Sequence, residues 1–176
     1  MKPHQHHKSH SPAKLRIAVV TASSSRYFKK VSGEPFVDES GEKAVEMLRK
    51  LGHDVEYLGV VNDDLWMIRT TVAKALDEAF DVVVVSGGTG LAPRDVTVEA
   101  LRPLLDKELE GFGEIFRIES FKRIGASAAL SRTMAGVARG KVVVALPGSP
   151  DGVALGLELF GEELPHMVHI ARGSTA

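Results

Sequence analysis

The stretch that decides the fold runs from Asp81 to Thr97 and has the sequence DVVVVSGGTGLAPRDVT. Its first part, Val82 to Val85, is a continuous β-branched run, which predicts a strand buried on both faces of a parallel sheet. The glycines between Ser86 and Gly90 allow a tight turn and leave backbone N–H groups uncovered. A strand, a glycine loop and a helix start, in that order, form the geometry that holds a phosphate at the carboxyl edge of a sheet.

The loop matches neither of the two common phosphate-binding fingerprints, because it lacks the P-loop lysine and the G-x-G-x-x-G spacing. A glycine-rich loop after a strand can also be a plain tight turn. Arg94 and Asp95 follow, however, and place a cation and a carboxylate beside the predicted helix start, which favours phosphate binding. The alternative for Asp95 and Thr97 is a helix N-cap, a common role for both residue types.

The composition indicates one globular domain that needs no disulfides or structural metal. The chain has 176 residues, of which 44% are hydrophobic and 26% charged, values that are ordinary for a soluble domain. A net charge of −1 gives no case for nucleic-acid binding, and the absence of cysteine excludes disulfides and cysteine-ligated zinc. No apolar stretch is long enough for a membrane span and no signal-peptide pattern opens the chain, so we expect no membrane association and a cytoplasmic location.

The first residues and the domain they precede differ in character. Residues 1–14 are polar and rich in histidine, with His4, His6, His7 and His10. Such tracts can bind metal, but we expect a disordered tail. We expect residues 15–176 to form a single domain.

Leu15 to Thr21 predicts the first buried strand of that domain. The segment from Ala22 to Gly41 has no clear period and predicts a long loop, a feature that is often functional in compact domains. Ser23 to Arg26 come just past the carboxyl end of the strand, where ligands bind in open α/β sheets. A solvated turn is the alternative.

A pair of carboxylates follows two other predicted strands. A helix over Glu42 to Leu51 and a strand over Val55 to Val61 come first, and Asp63 lies directly after that strand. Asp95 follows the glycine loop in the same way. Two carboxylates at one sheet edge could share a divalent cation such as Mg²⁺. The alternative for Asp63 is the N-cap of the next helix.

The second half of the chain predicts a helix, a hairpin and a closing helix. The helix over Leu109 to Phe121 contains Gly111 to Glu114; this glycine-containing opening indicates either close backbone approach to a ligand or another subunit, or a core position for Phe112. Ser131 to Val137 and Lys141 to Leu146 predict a β-hairpin with a short glycine-containing loop. Together the elements predict an α/β fold, a three-layer α/β/α sandwich whose mostly parallel central sheet has one antiparallel strand.

Four motifs in series resemble the MoaB/MogA family of molybdenum cofactor biosynthesis proteins. The resemblance runs from about Leu15 to the closing helix, and the region between the second and third motifs is more similar to the MoaB branch. Asn62 departs from the family, in which proline is more common at that position. The motifs are Gly87 to Gly90 with Pro93 to Thr97, Gly111 to Glu114, Ser131-Arg132 with Ala135-Gly136, and Leu146 to Pro150.

The resemblance implies the molybdenum cofactor biosynthesis protein fold, assembly as a homotrimer or homohexamer, and binding of molybdopterin, the dithiolene-bearing pterin phosphate. In active members it implies molybdopterin adenylyltransferase activity, a nucleotidyltransferase reaction in which molybdopterin and Mg-ATP give adenylyl-molybdopterin and pyrophosphate. The alternative is a non-catalytic molybdopterin-binding or scaffold protein of the same pathway. A further protein that inserts the metal is a conceivable partner.

The same resemblance matches Asp63 and Asp95 to the family's two catalytic or metal-linked acids, and we expect both to hold Mg²⁺. Backbone N–H groups of the glycine loop are expected to hold phosphate, and Arg132 and Arg94 to donate to phosphate or pterin oxygens. The expected substrate-binding residues are Ser86, Gly87, Gly88, Thr89, Gly90, Arg94, Thr97, Gly111, Phe112, Gly113, Glu114, Ser131, Arg132, Pro147, Gly148, Ser149 and Pro150.

Overall fold

The computed structural model describes residue 12 and residues 14–173. Apart from Pro12 and Lys14, the predicted histidine-rich tail lies outside the described residues.

Six strands in the described part of the chain form one sheet, in the order β2-β1-β3-β6-β5-β4. Strands β2, β1, β3 and β6 run parallel, whereas β5 is antiparallel to both of its neighbours. The predicted mostly parallel sheet with one antiparallel strand is therefore confirmed. The strands are β1 Arg16–Ala22, β2 Asp54–Val61, β3 Val82–Ser86, β4 Lys107–Glu108, β5 Met134–Ala138 and β6 Lys141–Leu146.

Helices cover both faces of this sheet. Short 3₁₀ turns follow three of them, at Arg102–Leu104, Gly125–Leu130 and Gly161–Glu163. The α-helices of the described residues are α1 Ser24–Ser32, α2 Glu39–Lys50, α3 Leu65–Asp77, α4 Thr97–Leu101, α5 Glu110–Ile124, α6 Pro150–Phe160 and α7 Leu164–Ala171.

Alternation along β1 shows how the layers are built. Successive strand side chains point to opposite faces. Ile17 and Val19 pack in a core with residues of α2, α6 and α7, whereas Ala18 and Val20 pack in a second core with residues of α3 and α4. Two buried cores, one on each face of the sheet, make the predicted three-layer sandwich.

The predicted long loop from Ala22 to Gly41 is wrong, because it contains α1 and the start of α2. The Ser23 hydroxyl caps α1 by accepting from the Arg26 N–H at 3.4 Å, and Gly33 ends the helix in a left-handed conformation with φ 72°. The sequence of α1 is amphipathic, but none of its residues is buried, so its pattern does not mark a core. A helix that lies on the surface leaves no core stripe in the sequence.

The end of the chain also differs from the prediction. The hairpin of β5 and β6 is confirmed, with a turn in which Arg139 and Gly140 both have positive φ. The predicted single closing helix is instead two helices, α6 and α7, separated by the 3₁₀ turn Gly161–Glu163. Pro165 lies in the first turn of α7, where its missing N–H is tolerated.

Candidate active site

A cleft of about 490 Å³ lies where the carboxyl ends of β1, β2, β3 and β6 meet. Strand β2 lies on one side of β1 and strand β3 lies on the other, so the direction in which strands are added to the sheet reverses at β1. The cleft therefore occupies a topological switch point of the sheet. Its walls are the loops after these strands and the turn after α5. The lining residues are Ala22, Ser23, Ser24, Ser25, Arg26, Asp63, Gly87, Gly88, Thr89, Gly90, Arg94, Asp95, Ser127, Leu130, Ser131, Pro147, Gly148 and Ser149.

The glycine loop forms one wall of the cleft. Gly87 and Gly88 have φ of 98° and 65°, and a Cβ at Gly87 would overlap the carbonyl oxygen of Ala22. The Gly87 N–H donates to Leu146 O at 3.0 Å and so holds β3 to β6. Within residues 14–173, the N–H groups of Gly88, Thr89 and Gly90 have no such acceptor. These three amides are the ones that can bind an anion.

Asp95 lies against the end of this loop. Its Oδ2 accepts from the Ala92 N–H at 2.8 Å, and a Cβ at Gly90 would fall 2.6 Å from that oxygen. The N-cap alternative is wrong for both candidates: Val96 precedes α4 without a side-chain cap, and the Thr97 hydroxyl donates to Gly87 O at 2.8 Å. Asp95 therefore closes the loop, and Thr97 is buried beneath it.

Asp63 reaches the cleft from the end of β2. Its Oδ2 accepts from the N–H and the hydroxyl of Ser24, at 2.6 and 2.8 Å. Its Oδ1 lies 3.4 Å from where a Cβ on Gly88 would be, so it faces the glycine loop. Asp64, and not Asp63, caps α3 by accepting from the Met67 N–H at 2.8 Å. The N-cap alternative for Asp63 is therefore wrong, and its carboxylate lines the cleft.

The donor set of Asp63 and Asp95 suits Mg²⁺. In each carboxylate Oδ2 is engaged by a hydrogen bond, and no described residue donates to Oδ1. Protein sites commonly hold Mg²⁺ through one or two carboxylates and complete its shell with water and substrate phosphate. No group of three or more metal-ligating side chains occurs among residues 14–173. The described residues fit a magnesium ion that shares its ligands with a bound phosphate.

Arg132 lies behind the glycine loop. Its Nε donates to Gly90 O at 2.9 Å, and its Nη2 donates to Asp95 O at 2.7 Å, so one guanidinium spans both ends of the loop segment. Both terminal nitrogens also contact the Glu99 carboxylate. The hydrogen bond from Arg132 holds the pKa of Glu99 below its usual value. In this conformation the guanidinium braces the loop and does not line the cleft.

A second cleft of about 420 Å³ adjoins the first, and the predicted site residues that line a cleft are distributed between the two. Gly113, Glu114 and Arg132 line this second cleft, and Ser131 lines both. The Ser131 Oγ is buried and has no hydrogen-bond partner among the described residues. This hydroxyl is therefore an unsatisfied polar group on a residue that lines both clefts.

The remaining predicted residues lie away from the clefts. The Phe112 side chain is buried and stacks on Phe160, with ring centroids 4.2 Å apart, so the core position is the correct alternative for it. Ser86 is buried at the end of β3. Gly111 is exposed on α5, and Pro150 is the first residue of α6.

The structure also adds cleft residues that the list of expected site residues lacked. Ser24 and Arg26 lie on the α1 side of the cleft, and Ser24 holds Asp63. Their position directly after β1 was a usable signal. Asp38, which lies 3.7 Å from Arg26, gave no signal because it falls in the segment predicted as a loop.

A mostly parallel sheet with a glycine loop and two carboxylates at its switch point is typical of α/β proteins that bind a phosphorylated ligand at the carboxyl edge. The family model for the probable molybdopterin binding domain matches residues 18–166. The chain belongs to this family of molybdenum cofactor biosynthesis proteins.

Relatives match along nearly the whole chain. A molybdopterin adenylyltransferase of Pyrococcus furiosus is 40% identical over 172 residues, which cover 96% of this chain and 98% of the relative. The molybdenum cofactor biosynthesis protein B of Staphylococcus aureus is 42% identical over 161 residues, or 88% and 90% of the two chains. The crystal structure of the tungsten cofactor synthesizing protein MoaB from Pyrococcus furiosus is 38% identical, with a TM-score of 0.82 and coverage of 92% and 99%.

None of the helices in residues 14–173 combines the length and the apolar character that crossing a membrane requires.

Proposed function

We propose that this protein is a molybdopterin adenylyltransferase, which joins molybdopterin and ATP to give adenylyl-molybdopterin and pyrophosphate. The observation that carries the proposal is one cleft in which Asp63 and Asp95 flank a glycine loop whose amides at Gly88, Thr89 and Gly90 donate to no described residue. The name of the Pyrococcus furiosus relative, at 40% identity, supports the same reaction.

In the proposed reaction, an oxygen of the terminal phosphate of molybdopterin attacks the α-phosphorus of ATP. The new O–P bond forms as the bond from the α-phosphorus to the bridging oxygen breaks, and pyrophosphate leaves with that electron pair. Both reactants are polyanions, so catalysis depends on positioning and charge neutralisation more than on a covalent catalyst.

Different residues of the cleft bind the phosphates and neutralise their charge. The amides of Gly88 to Gly90 donate to a phosphate, and the free Oδ1 atoms of Asp63 and Asp95 hold Mg²⁺. When bound, the ion neutralises phosphate charge and stabilises the leaving pyrophosphate. Arg94, on the rim, adds a cation. Ser131 supplies its unpartnered hydroxyl to the substrate, beside the wall formed by Pro147 to Ser149.

Arg132 has a different task in this proposal from the one predicted from its sequence motif. Its guanidinium makes four hydrogen bonds, to Gly90 O, to Asp95 O and to both carboxylate oxygens of Glu99. We therefore assign it to holding the loop, and with it the Asp95 backbone, in the shape that binds phosphate.

Pyrophosphate release by the purified protein with molybdopterin and Mg-ATP tests the proposal, with pterin omitted as the blank. Asp63→Asn and Asp95→Asn are each expected to lower the pterin-dependent rate by about 100-fold or more, the usual cost of losing a group that stabilises developing charge. Asp64→Asn is the matched control, because it makes the same change next to Asp63, outside the cleft, and Asn still caps a helix. Equal rates in all three variants would contradict the proposal.

The alternative of a non-catalytic binder has its own signature in this experiment. It predicts that the wild type binds molybdopterin but releases no pyrophosphate that depends on the pterin. The cytoplasmic location and a metal-insertion partner stay predictions from the sequence and the resemblance.

We also infer a homo-oligomer, a trimer or hexamer, formed through α5. This helix exposes Ile115, Ile118, Phe121 and Ile124, a row of large apolar side chains, each about half exposed. Phe121→Lys is expected to lower the mass measured by light scattering. Phe28→Lys, at a comparably exposed phenylalanine of α1, is the control. A monomeric mass for the wild type would overturn this assignment.

A further inference from the structure

Arg26 lies on the wall of the cleft that faces the glycine loop, on the first turn of α1. Its Nε donates to Val37 O at 3.2 Å and lies 3.7 Å from Asp38 Oδ1. Among the residues that the structure describes, none accepts a hydrogen bond from either Nη atom. The side chain is therefore held at its Nε, while its two terminal nitrogens have no acceptor among the described residues and the residue lines the cleft.

Asp38, which lies beside that Nε, is itself firmly held. Its side chain is 5% exposed and accepts from Ser40 Oγ at 3.1 Å, from the Gly41 N–H at 3.3 Å and from the Tyr57 hydroxyl. Burial acts to raise the pKa of Asp38, but these hydrogen bonds together with one from Thr21 outweigh it and lower the pKa. The carboxylate is thus a fixed negative charge behind the arginine.

The charged side chains that line the cleft indicate which kind of ligand Arg26 can bind. Of its described lining residues, Asp63 and Asp95 are acidic, and Arg26 and Arg94 are the cations. Arg94 is exposed, with no hydrogen bond to a described residue, whereas Arg26 is held in place by its Nε contacts. A guanidinium that is already oriented loses less freedom when it binds an anion, and its forked donors match phosphate oxygens.

We propose that Arg26 binds a phosphate group of the substrate in this cleft and that Asp38 is its positioning residue. The proposal rests on the proposed function for the identity of the substrate, but not for the anion chemistry. A terminal phosphate of ATP and the phosphate of the pterin share that chemistry. Tyr57 contributes indirectly, because its hydroxyl donates to Asp38 and helps to hold that carboxylate in place.

The test measures binding of inorganic pyrophosphate by calorimetry at fixed Mg²⁺ and salt. Arg26→Ala is expected to weaken binding about tenfold or more, the usual cost of losing a hydrogen bond to a charged group. Arg26→Lys is expected to recover only part of the loss, because an ammonium cannot form the fork. Lys29→Ala is the matched control: it removes the same charge from an exposed position of the same helix, outside the cleft.

The positioning role is tested by a double-mutant cycle. Asp38→Asn is expected to weaken pyrophosphate binding in the wild-type background and to have no further effect in the Arg26→Ala background. Tyr57→Phe, which removes only the hydroxyl, serves if the Asn variant does not fold. Losses that add independently in the cycle would overturn the positioning role, since they would mean that Asp38 acts on the fold alone.

The outcomes separate this inference from the proposed function. Pyrophosphate binding by Arg26→Ala that equals binding by Lys29→Ala would overturn the role of Arg26 even if the wild type adenylylates molybdopterin. Dependence on Arg26 without any pterin-dependent turnover would support the anion site and contradict the adenylyltransferase. Separate titrations with ATP and with molybdopterin identify which phosphate is bound, because only its source is expected to lose affinity in Arg26→Ala.

Discussion

The two walls of the cleft are built in different ways. The loop wall, Gly87 to Asp95, is shaped by its backbone: positive φ at two glycines, contact with the end of β1, and Arg132 behind it. The helix wall, Ser23 to Arg26, belongs to a surface helix that buries no residue and contacts the site through side-chain hydrogen bonds. A wall that is shaped by its backbone leaves a motif in the sequence, whereas the wall that is shaped by side chains is marked only by its position directly after β1.

The largest expected effect is on the loop wall. Gly87→Ala puts a Cβ against the Ala22 carbonyl at a φ of 98°, and we expect it to lower the free energy of unfolding by about 2–5 kcal/mol and to abolish activity. Gly125→Ala is the control, since it has a positive φ of 65° but no atom within 4 Å of the added Cβ. Chemical denaturation measures both. Equal losses would mean that strain alone, without the close approach, accounts for the effect.

The brace behind the loop comes second. Arg132→Ala is expected to lower the free energy of unfolding by about 1–3 kcal/mol and to reduce turnover at saturating substrate, because two backbone carbonyls lose their charged donor. Arg123→Ala removes an exposed pair with Glu158 and is expected to change stability by less than about 1 kcal/mol. If Arg132→Ala instead raised KM alone and left stability unchanged, Arg132 would be a substrate ligand, as its motif had predicted.

A smaller effect is expected where the helix wall holds Asp63. Ser24→Ala removes one of two donors to Asp63 Oδ2, and the backbone N–H remains at 2.6 Å. We expect the pterin-dependent rate to fall about fivefold, corresponding to one net hydrogen bond of about 1 kcal/mol. Ser32→Ala, an exposed serine at the other end of α1, is the control. A rate that matches this control would mean that the Ser24 hydroxyl does not position Asp63.

The smallest expected effect concerns the pH dependence of the stability that Asp38, beside the helix wall, contributes to the protein. The pKa of Asp38 is lowered from 3.8 in the folded protein, so the unfolded chain binds its proton first as the pH falls. The stability that Asp38 contributes is therefore fully present above about pH 4 and is lost as the pH falls through the folded pKa. The difference in free energy of unfolding between the wild type and Asp38→Asn should shrink below that pH. A difference that stays constant would contradict the lowered pKa.

The sequence was sufficient for the central strands of the sheet, because these are largely β-branched and apolar, but it did not predict the exposed two-residue edge strand β4. Val82 to Val85 and Lys141 to Leu146 were assigned on that basis, and both are central strands. It also placed Asp63 and Asp95 at one edge of the sheet, because the carboxyl ends of parallel strands meet there, and both residues line the cleft.

What the sequence could not predict depends on contacts between distant residues. Nothing local in the sequence indicates that Arg132, which its motif assigns to the ligand, also contacts Gly90, Asp95 and Glu99. Asp38 was overlooked for a related reason: its partner Tyr57 comes from β2. The hydrophobic period carries no information about either contact.

The most direct test of the account follows the adenylyl group itself. Purified protein is mixed with molybdopterin, Mg²⁺ and ATP labelled at the α-phosphate, and the label is followed into the pterin while pyrophosphate is counted. We expect labelled adenylyl-molybdopterin in equal amount to pyrophosphate, and rates of formation of both that are lower by about 100-fold or more when Asp95→Asn replaces the wild type. Intact binding of molybdopterin without any transfer of label would contradict the adenylyltransferase and would assign the cleft to binding alone.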